Sequence, residues 1–275
     1  MFRFKKNTSD FTAGCGICGS RKFRFDIGKN GYEYAVCSGC GTSILNPVPS
    51  QDFLRDFYGK YESEGGIYIK TREESKEDCF NTFDLDFSDL GFSPAGIKKA
   101  LDIGCATGIF LEYLKSRGIS AKGVDVSAEM VARAREKGLD ASSEDLFSLE
   151  GKFNMITLWD VLEHFTNPAA ALKKVNQLLE KDGNLVIETP CRGFISDYFG
   201  PKWRHYNPPQ HIYLFSRKSL FYALRRSGFH VVSWVRFGSG NTSGGISPRI
   251  KSALDFLAKK SGIGDSIVVW AKKSA

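Results

Sequence analysis

The pattern of apolar and polar positions changes period at Gly104. Before it, Leu101-Asp-Ile103 reads as a short buried strand; after the break Gly104-Cys-Ala-Thr-Gly108, the run Ile109-Phe-Leu-Glu-Tyr-Leu114 opens an amphipathic helix. A second short apolar strand, Gly123-Val-Asp125-Val-Ser127, ends on an acid. Further apolar runs follow at Phe153 to Trp159, Leu185 to Thr189, Val231 to Val235 and Ile267 to Ala271, with a helix starting at Ser216. Upstream, Phe23 to Ile27 and Tyr32 to Val36, separated by Gly28-Lys-Asn-Gly31, predict a hairpin. Asn46-Pro-Val-Pro49 is expected to be extended, because each proline steers its predecessor away from helix. Ser50 then caps a helix, Gln51 to Tyr58, whose Phe53, Leu54, Phe57 and Tyr58 share one stripe. A basic helix is expected near Pro248 to Lys260, after a flexible Asn241-Thr-Ser-Gly-Gly245 loop.

A strand that breaks into glycines and opens a helix is a cradle for a nucleotide cofactor, since the helix start presents free backbone N–H groups. Gly104 and Gly108 let that backbone come close to a ligand. The dinucleotide fingerprint G-x-G-x-x-G does not fit, because Ala106 stands at its second glycine and Ile109 at its third. What fits is D-x-G-x-x-x-G from Asp102 to Gly108, followed by the acid at 125. This resembles motifs I and II of the class I S-adenosylmethionine-dependent methyltransferases. The resemblance continues through Glu144-Asp-Leu146, Phe153 to His164, Leu178 to Gly183 and Leu185 to Pro190, and covers about residues 97–236.

The resemblance implies an α/β domain over 96–275, with a doubly wound, mostly parallel, seven-stranded sheet. It implies that Asp102 and the turn Gly104, Cys105, Ala106 and Gly108 hold the methionine part of S-adenosylmethionine. Asp125, beside Val126, takes the ribose hydroxyls, and a carboxylate suits a diol because it accepts two hydrogen bonds. Asp145 and Leu146 meet the adenine, and Trp159 closes the site at the end of the fourth strand. Ala106 departs from the commoner middle glycine of the family. Residues 49–95 are expected to be a helical linker or cofactor lid, with Tyr58, Tyr61 and Tyr68 as part of the cover.

The cysteines add a second module. No apolar run approaches the about 20 residues of a membrane span, and Met1-Phe-Arg-Phe-Lys-Lys6 is not a signal peptide, so a cytoplasmic protein is expected. Its seven cysteines then need a reading other than disulfides. Cys15-Gly-Ile-Cys18-Gly19 and Cys37-Ser-Gly-Cys40-Gly41 are two C-x-x-C-G knuckles at the spacing of a four-thiolate zinc ribbon, here over residues 1–48. With four thiolates and no open position the zinc would be structural.

Charge bears on the acceptor. Residues 200–260 carry eleven Lys or Arg against the single acid Asp255, more than the whole chain's net +7. Within it Lys202, Trp203, Arg204 and Tyr206 mix cations and aromatics in the way a phosphorylated or nucleotide-linked small molecule would require, and RNA as well. Lys and Arg at 217–226 and 249–260 read as solvated helix faces. His164 either faces the transferable methyl or pairs with a backbone carbonyl, and His205 and His211 are neutral imidazoles able to take a proton from an acceptor. The C-x-x-C-G, N-P-x-P, L-E-H and P-P-Q-H-I segments, in that order, are similar to zinc-ribbon methyltransferases of the type-12 and type-23 groupings, many of which act on sugars, polysaccharide precursors or natural products. The expectation is methyl transfer to a small, anionic acceptor by in-line displacement. Its rivals are an RNA base methyltransferase with a zinc module and a non-catalytic scaffold.

Overall fold

The structure is a computed structural model that describes residues 14–54, 56–57, 74–239 and 248–274. Eleven strands form one sheet, and their pairing follows the sequence pattern. Its centre is β4 (Lys99–Ile103), flanked by parallel β5 (Ser120–Val124) and β7 (Phe153–Trp159). Beyond β5 lies β6 (Asp140–Ser142), and beyond β7 lies the long β8 (Leu179–Arg192), again parallel. The hairpin of β10 (Phe229–Phe237) and β11 (Ser266–Lys273) adds to β8 through β11, which runs antiparallel. These seven strands, in the order β6-β5-β4-β7-β8-β11-β10, are the doubly wound sheet expected from the motifs.

Helices start where capping side chains stand. The Ser127 hydroxyl accepts from Met130 N–H at 3.1 Å to open Ala128–Glu136, and Asn167 accepts from Ala170 N–H at 3.1 Å ahead of Pro168–Leu178. Ser216 and Ser219 form a capping box for Arg217–Arg226. The helix Lys76–Leu90 buries Phe83 and Phe87 against Phe110 and Trp159, with ring centroids 4.8–6.2 Å apart, so it is anchored beside the end of β7. Ser50 caps a helical start at 51–54, as its sequence suggests.

The cysteine module is built on the same sheet. β1 (Phe23–Lys29) and β2 (Tyr32–Cys37) are longer than the apolar pattern alone indicates, because Asn30 and Gly31 both take positive φ, 51° and 80°, and close a two-residue turn. β3 (Ser43–Asn46) follows antiparallel to β2. It pairs in turn with β9 (Tyr213–Ser216), which runs parallel to the end of β8 at Cys191 and Arg192. The ribbon is therefore continuous in hydrogen bonding with the central sheet. Among the described residues no helix is long and apolar enough to cross a membrane.

Candidate functional site

The turn after β4 lies where β4, β5 and β7 end together. Gly104 and Gly108 hold left-handed conformations, φ 75° and 83°. A Cβ at 104 would fall 2.3 Å from Val161 Cγ2, and one at 108 would fall 2.5 Å from Leu139 Cδ1, so both the sign of φ and the close approach require glycine. Ala106 between them adopts φ 45°, the conformation that the more usual glycine would take at no steric cost.

Hydrogen bonds pin the turn to the next strand. Gly104 and Cys105 N–H donate to the Val124 carbonyl at 2.7 and 3.1 Å. The Asp125 carboxylate accepts from Ala106 N–H on one oxygen and from Ser127 N–H on the other, both at 2.9 Å. Burial pushes this carboxyl up from its ordinary range, while the two N–H groups hold it down. Asp102 is buried below the turn and accepts from the Thr157 hydroxyl at 2.6 Å. Cys105 packs with Leu111, Val131, Ala134 and Leu139, which leaves its backbone as its contribution to the turn. Val126 is exposed beside Asp125. Asp145 is exposed and accepts from Phe147 N–H at 2.7 Å, while Leu146 is buried. The buried Trp159 indole N–H, ringed by Phe83, Phe87 and Phe110, meets no acceptor among the described residues.

Three of the four histidines, His164, His205 and His211, gather near the ends of β7 and β8. His164 Nδ1 lies 2.8 Å from the Gln210 carbonyl, and His211 Nδ1 lies 2.9 Å from the His205 carbonyl. A carbonyl can only accept, so each Nδ1 carries the proton and each Nε2 keeps a lone pair. The rings of His164 and His211 are 5.0 Å apart, and His205 stacks at 5.9 Å from His211. Burial lowers His164 to about 4 and His205 to about 3, and moves His211 in the same direction, so all three are neutral at pH 7. His164 Nδ1 thus takes the backbone-carbonyl partner that is one of its two sequence expectations.

Beneath them Glu163, fully buried, accepts from the Thr189 hydroxyl at 2.8 Å and turns its other oxygen to within 4.0 Å of His164 Nε2. Burial and the charge of Asp160 raise its pKa well above the ordinary carboxylate value. One ligand atom each from Glu163, His164 and His211 lies within 4.8 Å of the others, a set able to hold a divalent cation. In the sequence Glu163 stands out only as the middle of L-E-H, and its place one residue before His164 is the available signal.

Lys202, Trp203, Arg204 and Tyr206, one group in the sequence, are separated by the structure. Trp203 and Tyr206 are core residues, with the indole N–H donating to Asp265 at 3.1 Å and the phenol to Asp26 at 3.2 Å. Arg204 forks onto Asp265 at 3.2 Å through two nitrogens, and half its side chain faces solvent, as Lys202 does. Tyr58, Tyr61 and Tyr68, and the Asn241 to Gly245 loop, lie outside the described residues.

The four cysteines converge as two matching knuckles. Gly19 N–H donates to the Cys15 carbonyl and Gly41 N–H to the Cys37 carbonyl, both at 2.8 Å, and Gly19 and Gly41 take φ 77° and 78°. The Sγ atoms of Cys15 and Cys40 are 3.6 Å apart, those of Cys18 and Cys37 are 3.5 Å apart, and all four lie within 4.8 Å of one another. Sulfurs at about 2.3 Å from a tetrahedral zinc stand roughly 3.8 Å apart, so the set fits that ion. The bond between Cys15 and Cys40 pushes the first thiol up and pulls the second down to about 5.

A family model described as a methyltransferase domain, of the type-23 grouping, matches residues 56–234. The chain belongs to this methyltransferase family. The ubiquinone biosynthesis O-methyltransferase of Methylococcus capsulatus is 33% identical over 119 residues, covering 40% of this chain and 50% of that protein. The protein of the same name from Aromatoleum aromaticum is 32% identical over 124 residues, covering 42% and 53%. The chain thus spans about half the length of the curated relatives it matches. Among solved structures, magnesium protoporphyrin IX methyltransferase from Synechocystis PCC 6803, with bound S-adenosylhomocysteine, superposes with a TM-score of 0.55 at 17% identity, covering 82% of this chain and all of that one. An S-adenosylmethionine-dependent methyltransferase from Archaeoglobus fulgidus gives 0.55 at 20% identity, covering 75% and 99%. These two likenesses show the fold.

Proposed function

We propose that this methyltransferase moves the methyl group of S-adenosylmethionine to a small acceptor seated between the glycine turn and the histidine cluster. The observation that carries this reading is the Asp125 clamp, in which one carboxylate oxygen accepts from Ala106 N–H of the turn and the other from Ser127 N–H, each keeping a lone pair for a ribose hydroxyl. The bound cofactor would supply an activated methyl on a sulfonium. The protein's share is then to hold the acceptor in line and to remove its proton.

In this reading the parts of the cofactor are divided among the residues of the cradle. Asp102 and the backbone of Gly104, Cys105, Ala106 and Gly108 take the methionine end, Asp125 and Val126 the ribose, Asp145 and Leu146 the adenine, and Trp159 the wall next to the methyl. On the acceptor side, His164 and His211 are the candidate bases, each bonded to a backbone carbonyl through Nδ1 and neutral at pH 7. His205, whose Nε2 accepts from Arg204 at 3.0 Å, is placed to orient its neighbours. Lys202 and Arg204 remain at the surface and suit an anionic group on the acceptor; Trp203 and Tyr206 shape that wall from within. The relatives' printed names, O-methyltransferases of ubiquinone biosynthesis, favour a small molecule with an acidic hydroxyl over RNA. The four thiols are proposed to hold structural zinc.

Four outcomes check this reading. Asp125→Ala removes two charge-assisted acceptors, each worth about 1.5–3 kcal/mol, and is expected to weaken cofactor binding by at least tenfold in calorimetry; unchanged affinity would remove Asp125 from the ribose site. Screening hydroxylated acids and nucleotide sugars against RNA with radiolabelled cofactor should label the small molecules. In the responding reaction His211→Ala or His164→Ala should lower kcat while leaving the cofactor Kd in place; full turnover in both variants would exclude them as bases. Elemental analysis should find zinc, and Cys37→Ser should remove one equivalent and expose the N-terminal module to protease. A metal-free chain with an intact, protected ribbon would contradict the assignment.

A further inference from the structure

The ribbon's strands reach well past the four thiols. The Tyr34 hydroxyl, on β2 and fully buried, donates to the His211 carbonyl at 2.7 Å. Leu45 N–H, on β3, donates to the next carbonyl, that of Ile212, at 2.8 Å. Lys29, at the hairpin end, donates to the Trp203 carbonyl at 3.3 Å. Asp26 holds Arg192 at 2.9 Å on one oxygen, and Ser43 and Tyr206 on the other at 2.8 and 3.2 Å. The Tyr34 and Tyr206 rings lie 5.1 Å apart, and Tyr206 leads through Trp203 and His205 to His211 by successive ring contacts of 5.2, 5.1 and 5.9 Å. Apart from the Asp26–Ser43 bond within the ribbon, these contacts end on the segment 192–212, which carries His205 and His211. The cofactor cradle is instead held by bonds within and after β4, β5 and β7.

We propose that the ribbon is a working wall of the acceptor side, in which Tyr34 and Asp26 are positioning residues that fix His211 and its neighbours. This rests on the methyl-transfer reading of the same site. The segment 203–212 has little regular structure of its own, so its backbone polar groups need partners from outside. The ribbon supplies them at residues 203, 211 and 212, while Glu163 supplies its carbonyl to Ile212 N–H at 2.9 Å. His211 is thus clamped between the ribbon and the end of β7. Because a displacement of about 1 Å at a reacting group can cost a hundredfold in rate, such a clamp has a function beyond stability. It also makes the metal act at a distance: loss of zinc would release the histidine segment and leave the cradle intact.

The test reads His211 directly and needs no acceptor. In the full chain labelled with 15N-histidine, the four side chains give resolvable signals, and His211 should report a single tautomer with the proton on Nδ1. Tyr34→Phe, and separately removal of zinc by a chelator, should convert His211 to a tautomer mixture, while the Kd for S-adenosylmethionine stays within about twofold. Should Tyr34→Phe not yield folded protein, Asp26→Asn keeps the side-chain shape, removes the ion pair, and is expected to shift His205 and His211 in the same way. An unchanged His211 spectrum in the folded variants and in the zinc-stripped protein would overturn the proposal. Equal loss of cofactor binding in all of them would also overturn it, by showing the ribbon to be a general support. A failure of the methyl-transfer reading would appear elsewhere, as absence of cofactor binding in the unaltered protein.

Discussion

One carboxylate joins the two halves of the cradle. Asp125 ends β5, yet its oxygens bond the turn after β4 and the first residue of the cap that follows β5. A charged acceptor shared by two N–H groups in a half-buried setting is among the stronger polar contacts available to a protein. Without it, Ala106 would have little reason to hold a left-handed conformation. In the proposed function this same carboxylate meets the ribose diol, and the bonds that shape the turn also fix its orientation.

A second dependence runs through the edge of the sheet. β8 extends to Arg192, beyond its last pairing with β11 at Pro190, and its end is taken by β9. β9 in turn accepts β3 on its other edge. A small four-cysteine module, too small to build a core of its own, thereby shares one with the larger domain. Tyr34, Ile44 and Leu45 belong to the same buried cluster as Ile187, Trp203 and Leu214. The histidine segment sits between the two and takes its hydrogen bonds from both.

Much of this was legible in the sequence where chemistry and spacing coincide. The glycine turn, the acid at 125 and the paired C-x-x-C-G knuckles are local patterns whose geometry follows from a few residues, and the strand order follows from the family motifs. The acceptor side was less legible because its residues are sorted by long-range packing. Trp203 and Tyr206 read like neighbours of Lys202 and Arg204, but Asp265 and Asp26, distant in sequence, draw their polar atoms inward. Glu163 carried no signal of its burial, which depends on Thr189 on the neighbouring strand. The reach of Tyr34 across 177 positions to His211 could not be read from either residue alone.

The central claim is that the turn after β4 selects S-adenosylmethionine through its shape and one acid rather than a dinucleotide through three glycines. Calorimetric titration of the unaltered chain with S-adenosylmethionine, and in parallel with NAD, tests this most directly. The account predicts one saturable site for S-adenosylmethionine and no measurable heat with NAD; saturable binding of NAD with none of S-adenosylmethionine would contradict it.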